Sequence, residues 1–213
     1  MPLAIIESDT SHTPAALASR QAEILGHPQR IEEVDPAAMQ GEALDQIVRI
    51  RASVGVHQTN TIPGYFLTML KHPNLFRAHM DMGTAIFKGE IPARERELAV
   101  LRIGWLCRAP YEWGEHVNIS KRYGVTEEEI AQVIEGSTAD GWAAHDAAIL
   151  SAVEQLLSNQ TIDDPTWATL AATWTEAQLI EFPMMVGQYI ATALVQNAMR
   201  IRLSPLNKGL AAR

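Results

Sequence analysis

A chain of 213 residues, 47% of them hydrophobic, has enough apolar material for one sizeable core, which excludes a disordered polymer. Its formal net charge of -8 repels a phosphate backbone and an anionic lipid surface, so neither nucleic acid nor membrane is an expected partner. The single cysteine, Cys107, excludes an intramolecular disulfide, and no apolar run reaches the roughly 18 residues that a membrane-spanning helix requires.

In chain order, Met1 to Asp9 lacks the basic-then-apolar sequence of a secretory signal, so a cytoplasmic location is expected. Residues 1–40 are the least patterned: Pro2, Pro14, Pro28 and Pro36 interrupt any long helix and leave room for a short one over Pro14–Leu25. This segment reads as an extended N-terminal arm, and residues 41–213 as a single all-α domain. A helix is predicted from Gly41 to Val54, after which Pro63-Gly64 leads into Tyr65–Leu70. His72-Pro73 punctuates the chain before a helix from Asn74 to Phe87, stopped at Gly89. Pro92 suits an early helical position, because its missing N–H costs nothing in a first turn, and that helix should reach Cys107. Leu98, Val100, Leu101, Ile103, Trp105 and Leu106 make it apolar nearly all round, which places it at the centre of the core.

After Ala109-Pro110 a helix from Tyr111 to Tyr123 should end at Gly124, a residue that tolerates the left-handed conformation. Thr126-Glu127-Glu128-Glu129 has the form of a capping box and opens a short helix to Glu135. Gly136 and Gly141 frame a loop, and Ala147, Leu150, Val153 and Leu157 recur at helical spacing. Asp164-Pro165 caps a further helix, and Thr175-Glu176-Ala177-Gln178 opens a last one that ends before Ser204-Pro205, with Pro183 and Gly187 as kink points.

Chemistry concentrates between Glu97 and His116. Glu112 and His116 lie four residues apart, share a helix face and have the spacing of a proton-transfer pair, although a solvated surface pair has the same spacing. Tyr111 and Trp113 flank the carboxylate, and aromatic walls raise a carboxyl pKa by desolvating its charged form. Glu97 sits in the opening turns of the most apolar helix and needs a partner there, whether the helix dipole, Arg94, Arg96 or a catalytic group. The helix that contains Glu97 is expected to pack against the one that carries Glu112 and His116. Cys107 is either a small buried residue or a nucleophile. With no His-Glu-x-x-His sequence and no cysteine pair, no metal site is expected; without a Gly-rich phosphate loop or Gly-x-Ser-x-Gly, neither is nucleotide or serine-hydrolase chemistry. His72, His79 and His145 are single histidines at helix edges, with solvent or capping roles expected.

The stretch Arg94-Glu95-Arg96-Glu97-Leu98 through Leu101-Arg102, then Cys107, then Tyr111-Glu112-Trp113-Gly114-Glu115-His116, and downstream Gly124-Val125-Thr126-Glu127-Glu128-Glu129-Ile130, resembles the carboxymuconolactone decarboxylase family, which shares its fold with the alkylhydroperoxidase AhpD. The likeness covers roughly residues 60–200 and is densest from 92 to 135. It implies an AhpD-like all-α domain and, by family precedent, a homo-oligomer, trimeric or hexameric, with a dimer as the smaller alternative. In the hydroperoxidase branch a CxxC pair works with a glutamate upstream and a histidine downstream. Glu97 and His116 stand at the matching positions, but Ala109 and Glu112 occupy the cysteine places, so no vicinal disulfide can form.

The Tyr-Glu-Trp branch is similar to the decarboxylase side, which implies cofactor-independent acid–base chemistry on a small organic acid or lactone. Glu97, Glu112 and His116 would carry the protons and Tyr111 would donate to an enolate oxygen. Arg102 or Arg108 would neutralise a substrate carboxylate, and Trp113 would form an apolar wall. Where the family's C-terminal helix often has Gly-His-Tyr, this chain has Gly187-Gln188-Tyr189. Two alternatives stand beside this reading: a peroxidase-like oxidoreductase with Cys107 as a lone thiol, and a non-catalytic binding or assembly protein.

Overall fold

The computed structural model describes residues 13–39, 41–53 and 62–213, and these contain α-helices and short 3-10 turns with no strand. Pro2, the start of the arm and the predicted helix end at Val54 lie outside the described residues. The helices are α1 (Pro14–Leu25), α2 (Glu42–Ser53), α3 (Gly64–Met69), α4 (Pro73–Phe87), α5 (Ala93–Leu106), α6 (Pro110–Ser120), α7 (Glu127–Glu135), α8 (Ala144–Asn159), α9 (Asp164–Ala171) and α10 (Glu176–Met199). None is long and apolar enough to cross a membrane.

Their boundaries follow local chemistry. Thr13 caps α1 by accepting from the Ala16 N–H, with Pro14 in the first turn, where a missing donor is harmless. Both predicted capping boxes form: Thr126 with Glu129 opens α7, and Thr175 with Gln178 opens α10. The helix expected to reach Tyr123 is α-helical to Ser120 and tightens into a 3-10 turn over Lys121–Tyr123, ended by Gly124 at φ 86°. Pro92 is the residue flanking α5 rather than its first member. α10 runs unbroken through Pro183 and Gly187 until Arg200 turns left-handed.

α5 is the central element. Leu98, Ala99, Val100, Leu101 and Ile103 are fully buried, so it cannot be amphipathic and must be packed from several sides. On one side Ala99 and Ile103 meet Ile149, Ala152 and Val153 of α8 and Phe182, Met185 and Val186 of α10. On the other, Leu98, Leu101 and Trp105 meet Trp113 and Val117 of α6 and Ile130 and Val133 of α7. Fully burying one such aliphatic side chain is worth about 1.5–3 kcal/mol, so this two-sided contact dominates the stability of the domain. A smaller cluster of Ile47, Leu67, Leu70 and Phe76 joins α2, α3 and α4 beside it. The described part of the arm lies along the domain: Leu17 enters the α6/α7 cluster, and Gln21 accepts from the Leu210 N–H at 3.0 Å, which ties α1 to the C-terminal segment.

Candidate active site

α5 and α6 cross closely because Gly104 is where they touch; a Cβ there would lie 3.3 Å from the Trp113 nitrogen. That approach brings Glu97, in the second turn of α5, against His116 of α6, as the packing expectation required. His116 Nδ1 donates to Glu97 Oε2 at 2.7 Å, and Arg96 donates to Glu97 Oε1 from Nε and Nη2, each at 3.1 Å. Arg96 is itself fixed by the Phe87 carbonyl at 2.9 Å and by the faces of the Phe87 and Tyr123 rings. The partner that Glu97 needed is therefore double: Arg96 behind and His116 in front.

One turn before His116, Glu112 completes the row. Its Oε1 lies 3.4 Å from His116 Nε2, and its Oε2 accepts from Gln196 Nε2 of α10 at 2.7 Å. Tyr189 stands edge-on to the His116 ring at 5.3 Å. Glu112 Oε1 and Gln196 Oε1 are buried acceptors with no hydrogen-bond partner. Such atoms are costly in a fold, and both belong to residues lining one cavity.

That cavity is about 270 Å³, just below the roughly 300–1,000 Å³ common for small-molecule clefts. α6 lines it with Tyr111, Glu112, Glu115 and His116; α10 with Gln188, Tyr189, Thr192 and Gln196; α3 and α4 with Tyr65, Phe66, His79, Met80, Gly83, Thr84 and Phe87. Its wall is mostly apolar with a few convergent polar groups.

Electrostatics divide the two carboxyls. Burial alone would push Glu97 up, but the charge and hydrogen bond of His116, with Arg96, hold it below its ordinary value, so it is ionised. Burial raises Glu112 above the ordinary carboxyl value, and neither the His116 charge nor the Gln196 hydrogen bond offsets that. For His116, burial is outweighed by Glu97 and Glu112, and its pKa is raised. Glu97 thus fixes the imidazole with its Nδ1–H inward and turns Nε2 toward Glu112 and the cavity. One proton can pass between Glu112 Oε1 and His116 Nε2, an acid and a base set apart by environment.

Of the residues singled out in the sequence, Glu97, Glu112, His116 and Tyr111 are brought together. The others are not. Trp113, expected as a substrate wall, is fully buried against Trp105 with its indole N–H on the Ala212 carbonyl. Arg102, expected to meet a carboxylate, points away and binds Glu154 and the carbonyls of Val133 and Ile134. Arg108 sits beyond the end of α5 at φ 45° and does not line the cavity. Cys107 lies beside the α8/α10 cluster and is also absent from the lining; burial and the Glu112 charge push its thiol up to about 12.

Tyr65, Thr192 and Gln196 escaped the sequence reading, and His79, expected in a solvent or capping role, is instead half-buried in the cavity wall with Tyr65 Oη 2.8 Å from its Nε2. For α10 a signal existed: Gln188, Thr192 and Gln196 recur every four residues on an otherwise apolar helix and are buried on one face. Tyr65 and His79 carry no local signal, since only the packing of α3 and α4 against α10 makes them neighbours of the site.

The carboxymuconolactone decarboxylase family model matches residues 73–155, a segment that contains His79, Glu97, Glu112 and His116 but neither Tyr65 nor α10. Curated proteins give no match. Among solved structures, a peroxidase-related protein with an alkylhydroperoxidase AhpD core from Ralstonia eutropha JMP134 aligns at TM-score 0.70 and 19% identity, over 84% of this chain and 94% of that one. The debrominase Bmp8, as a cysteine-to-alanine variant in complex with 2,3,4-tribromopyrrole, aligns at TM-score 0.69 and 17% identity, over 84% of this chain and 93% of its own. A candidate antioxidant defence protein AhpD from Agrobacterium tumefaciens aligns at TM-score 0.60 and 17% identity, over 64% and 94%. At these identities the likeness is one of fold.

Proposed function

We propose that this chain, whose fold is the carboxymuconolactone decarboxylase/AhpD-like one, is an enzyme of cofactor-independent acid–base chemistry, of decarboxylase or lyase type, acting on a small organic acid or lactone. The observation that carries this reading is Glu112: buried, its carboxyl pushed above the ordinary value by that burial, with Oε1 unpartnered beside a cavity and 3.4 Å from His116 Nε2. In the proposed cycle His116 Nε2 accepts a proton from the substrate, Glu97 stabilises the imidazolium, and the Glu112 carboxyl delivers a proton to the carbon that needs one. Transfer from His116 back to Glu112 resets the pair, and such positioned proton transfer contributes about 10²–10⁴-fold in rate.

Two observations weigh against the alternatives. A lone-thiol peroxidase needs an accessible thiolate, and Cys107 is neither in the cavity wall nor readily ionised. A non-catalytic assembly protein would be expected to close the space beside Glu112, which is instead open. The test is a parallel assay of lactone or organic-acid turnover and peroxide consumption on the wild type, Glu112→Gln, His116→Gln and Cys107→Ser. Loss of lactone turnover in the first two variants and its retention in the third supports the reading; peroxide consumption that tracks Cys107 contradicts it.

Assembly as a homo-oligomer is proposed with it. The outward face of α10 carries Ala177, Ile180, Met184, Gly187, Ala191 and Leu194, with Ile180 69% and Leu194 61% exposed, an apolar strip that a second copy would cover. Light scattering should give a multiple of the 23.5 kDa chain mass, and that mass itself across all concentrations would refute it.

A further inference from the structure

α10 places a polar row in the cavity wall at four-residue spacing, Gln188, Thr192 and Gln196, and each member of the row is used differently. Gln188 Nε2 donates to the His79 carbonyl at 2.9 Å, which ties α10 to α4, and the Thr192 hydroxyl donates to the Gln188 carbonyl one turn back, also at 2.9 Å. Gln196 reaches α6 instead, where its amide meets Glu112 Oε2 at 2.7 Å. Gln196 is 2% exposed and Glu112 3%, so bulk water does not compete for this bond and the low local dielectric strengthens it.

No other hydrogen bond holds the Glu112 carboxyl among the described residues. Its Oε1 is a buried acceptor without a partner, and His116 Nε2 stands 3.4 Å from it, beyond normal hydrogen-bond reach. The terminal torsion of a glutamate is a broad two-fold rotor, so a carboxyl held at neither oxygen would present either one to His116. The bond from α10 removes that freedom: with Oε2 pinned, Oε1 is the oxygen turned to His116. This holds whichever end of the amide faces Glu112, because an amide N–H donates to a carboxylate oxygen and an amide oxygen accepts from a carboxylic acid. The two orientations differ in where they leave the proton. An N–H on Oε2 keeps that oxygen an acceptor whether Oε1 is protonated or bare, so the amide need not turn during a cycle. An amide oxygen there would hold the proton on Oε2, away from His116. The N–H also favours the ionised carboxyl, in the direction opposite to burial, and so bears on how readily Glu112 gives its proton up.

We infer that Gln196 is a positioning residue of this site: it pins Glu112 Oε2 from α10, so that Oε1 is the oxygen that exchanges a proton with His116 Nε2. The inference rests on the acid–base reading above and adds the group that aims the acid. In the cycle the Oε1–H bond breaks as its proton passes to the substrate carbon, and the carboxylate charge left behind is stabilised through Oε2 by the Gln196 N–H. The proton that His116 Nε2 took from the substrate then returns to Oε1, so no oxidant, reductant or second reactant is needed. Misplacing a reacting group by about 1 Å can cost roughly 10²-fold, which sets the scale of loss expected without the pin.

The experiment has one readout that needs no substrate and one that does. Carbon NMR of labelled glutamate carboxyls gives the Glu112 titration midpoint, assigned with Glu112→Gln. Proton NMR follows the isomerisation of α-angelica lactone, an enol lactone, to its conjugated β form, in which one ring carbon loses a proton and the next but one gains one. Gln196→Met, similar in length but without the amide, should move the midpoint to higher pH, carry the Glu112 limb of the pH–rate profile with it and lower kcat by up to roughly 10²-fold. Gln196→Leu should move the midpoint the same way, and Thr192→Val, one turn back on the same face, should leave it at its wild-type position. A merely structural Gln196 would shift neither midpoint nor profile. A midpoint that stays in place or falls in both Gln196 variants overturns the inference, whatever the lactone does. A wild type that leaves the lactone unchanged, or turnover that survives in Glu112→Gln, overturns the acid–base reading instead.

Discussion

α5 carries two buried arginines, and the ion arrays around them have opposite characters. At the Arg102 end, Nε and Nη2 bind Glu154 Oε1 at 2.9 and 2.8 Å, and Nη1 binds the Val133 and Ile134 carbonyls at the C-terminus of α7. Glu154 is completed by the backbone N–H and hydroxyl of Ser137. Donors and acceptors match, and the array closes a helix end against α8. At the Arg96 end the row Arg96, Glu97, His116, Glu112, Gln196 stops with two acceptors left over beside a cavity. A closed array can only hold the fold together; an open one keeps a proton available to something that enters.

Substitutions should separate the two arrays. The largest effect is expected in the open one: Glu112→Gln and His116→Gln should each lower turnover about 10²–10⁴-fold with the fold intact, because each removes a titrating group while keeping similar shape. Circular dichroism with steady-state kinetics checks this. In the closed array, Arg102→Met should leave turnover per folded molecule near wild type while costing about 3–5 kcal/mol of stability in denaturant titrations, since it strands Glu154 and two helix-end carbonyls. Loss of chemistry in Arg102→Met would erase the distinction.

A smaller effect sharpens it through pH. Glu112 has a folded pKa above the ordinary value of 4.5, so above that value the folded chain binds more protons than the unfolded one, and stability falls as pH rises through the window up to its folded pKa. Glu112→Gln removes this slope. Its stability relative to wild type should therefore increase as pH rises from 4.5 and level off above the folded pKa, which thermal melts across pH will read. The smallest effect is expected for Cys107→Ser, a near-isosteric change at a thiol outside the cavity wall, with turnover within about two-fold of wild type and stability lower by roughly 1 kcal/mol.

How far the sequence could be read follows from the same geometry. Local signals placed several helix ends: Pro14–Leu25 followed from its prolines and the starts of α7 and α10 from the spacing of their capping boxes, whereas the helix expected to reach Tyr123 is α-helical only to Ser120. Glu112 and His116 were legible because four residues return a helix to one face, and Glu97 because a charge amid apolar residues demands a partner. Trp113 misled for the complementary reason: one residue after Glu112 is about 100° around the helix, which turned it into the α5/α7 core. Arg102 is five residues after Glu97, about 140° around, and so faces Glu154. Tyr65 and His79 reach the cavity only through the tertiary packing of α3, α4 and α10, for which no local pattern stands.

The central claim is that one environment drives two carboxyls on neighbouring helices in opposite directions. Carbon NMR of the side-chain carboxyls in uniformly glutamate-labelled protein, titrated over pH and assigned with Glu97→Gln and Glu112→Gln, measures it directly. The predicted result is a Glu97 resonance that titrates below its ordinary value of 4.5 and a Glu112 resonance that titrates above it, with His116 titrating above 6.5. Two carboxyls that both titrate near 4.5 would contradict the account, because Glu112 would then hold no proton to give.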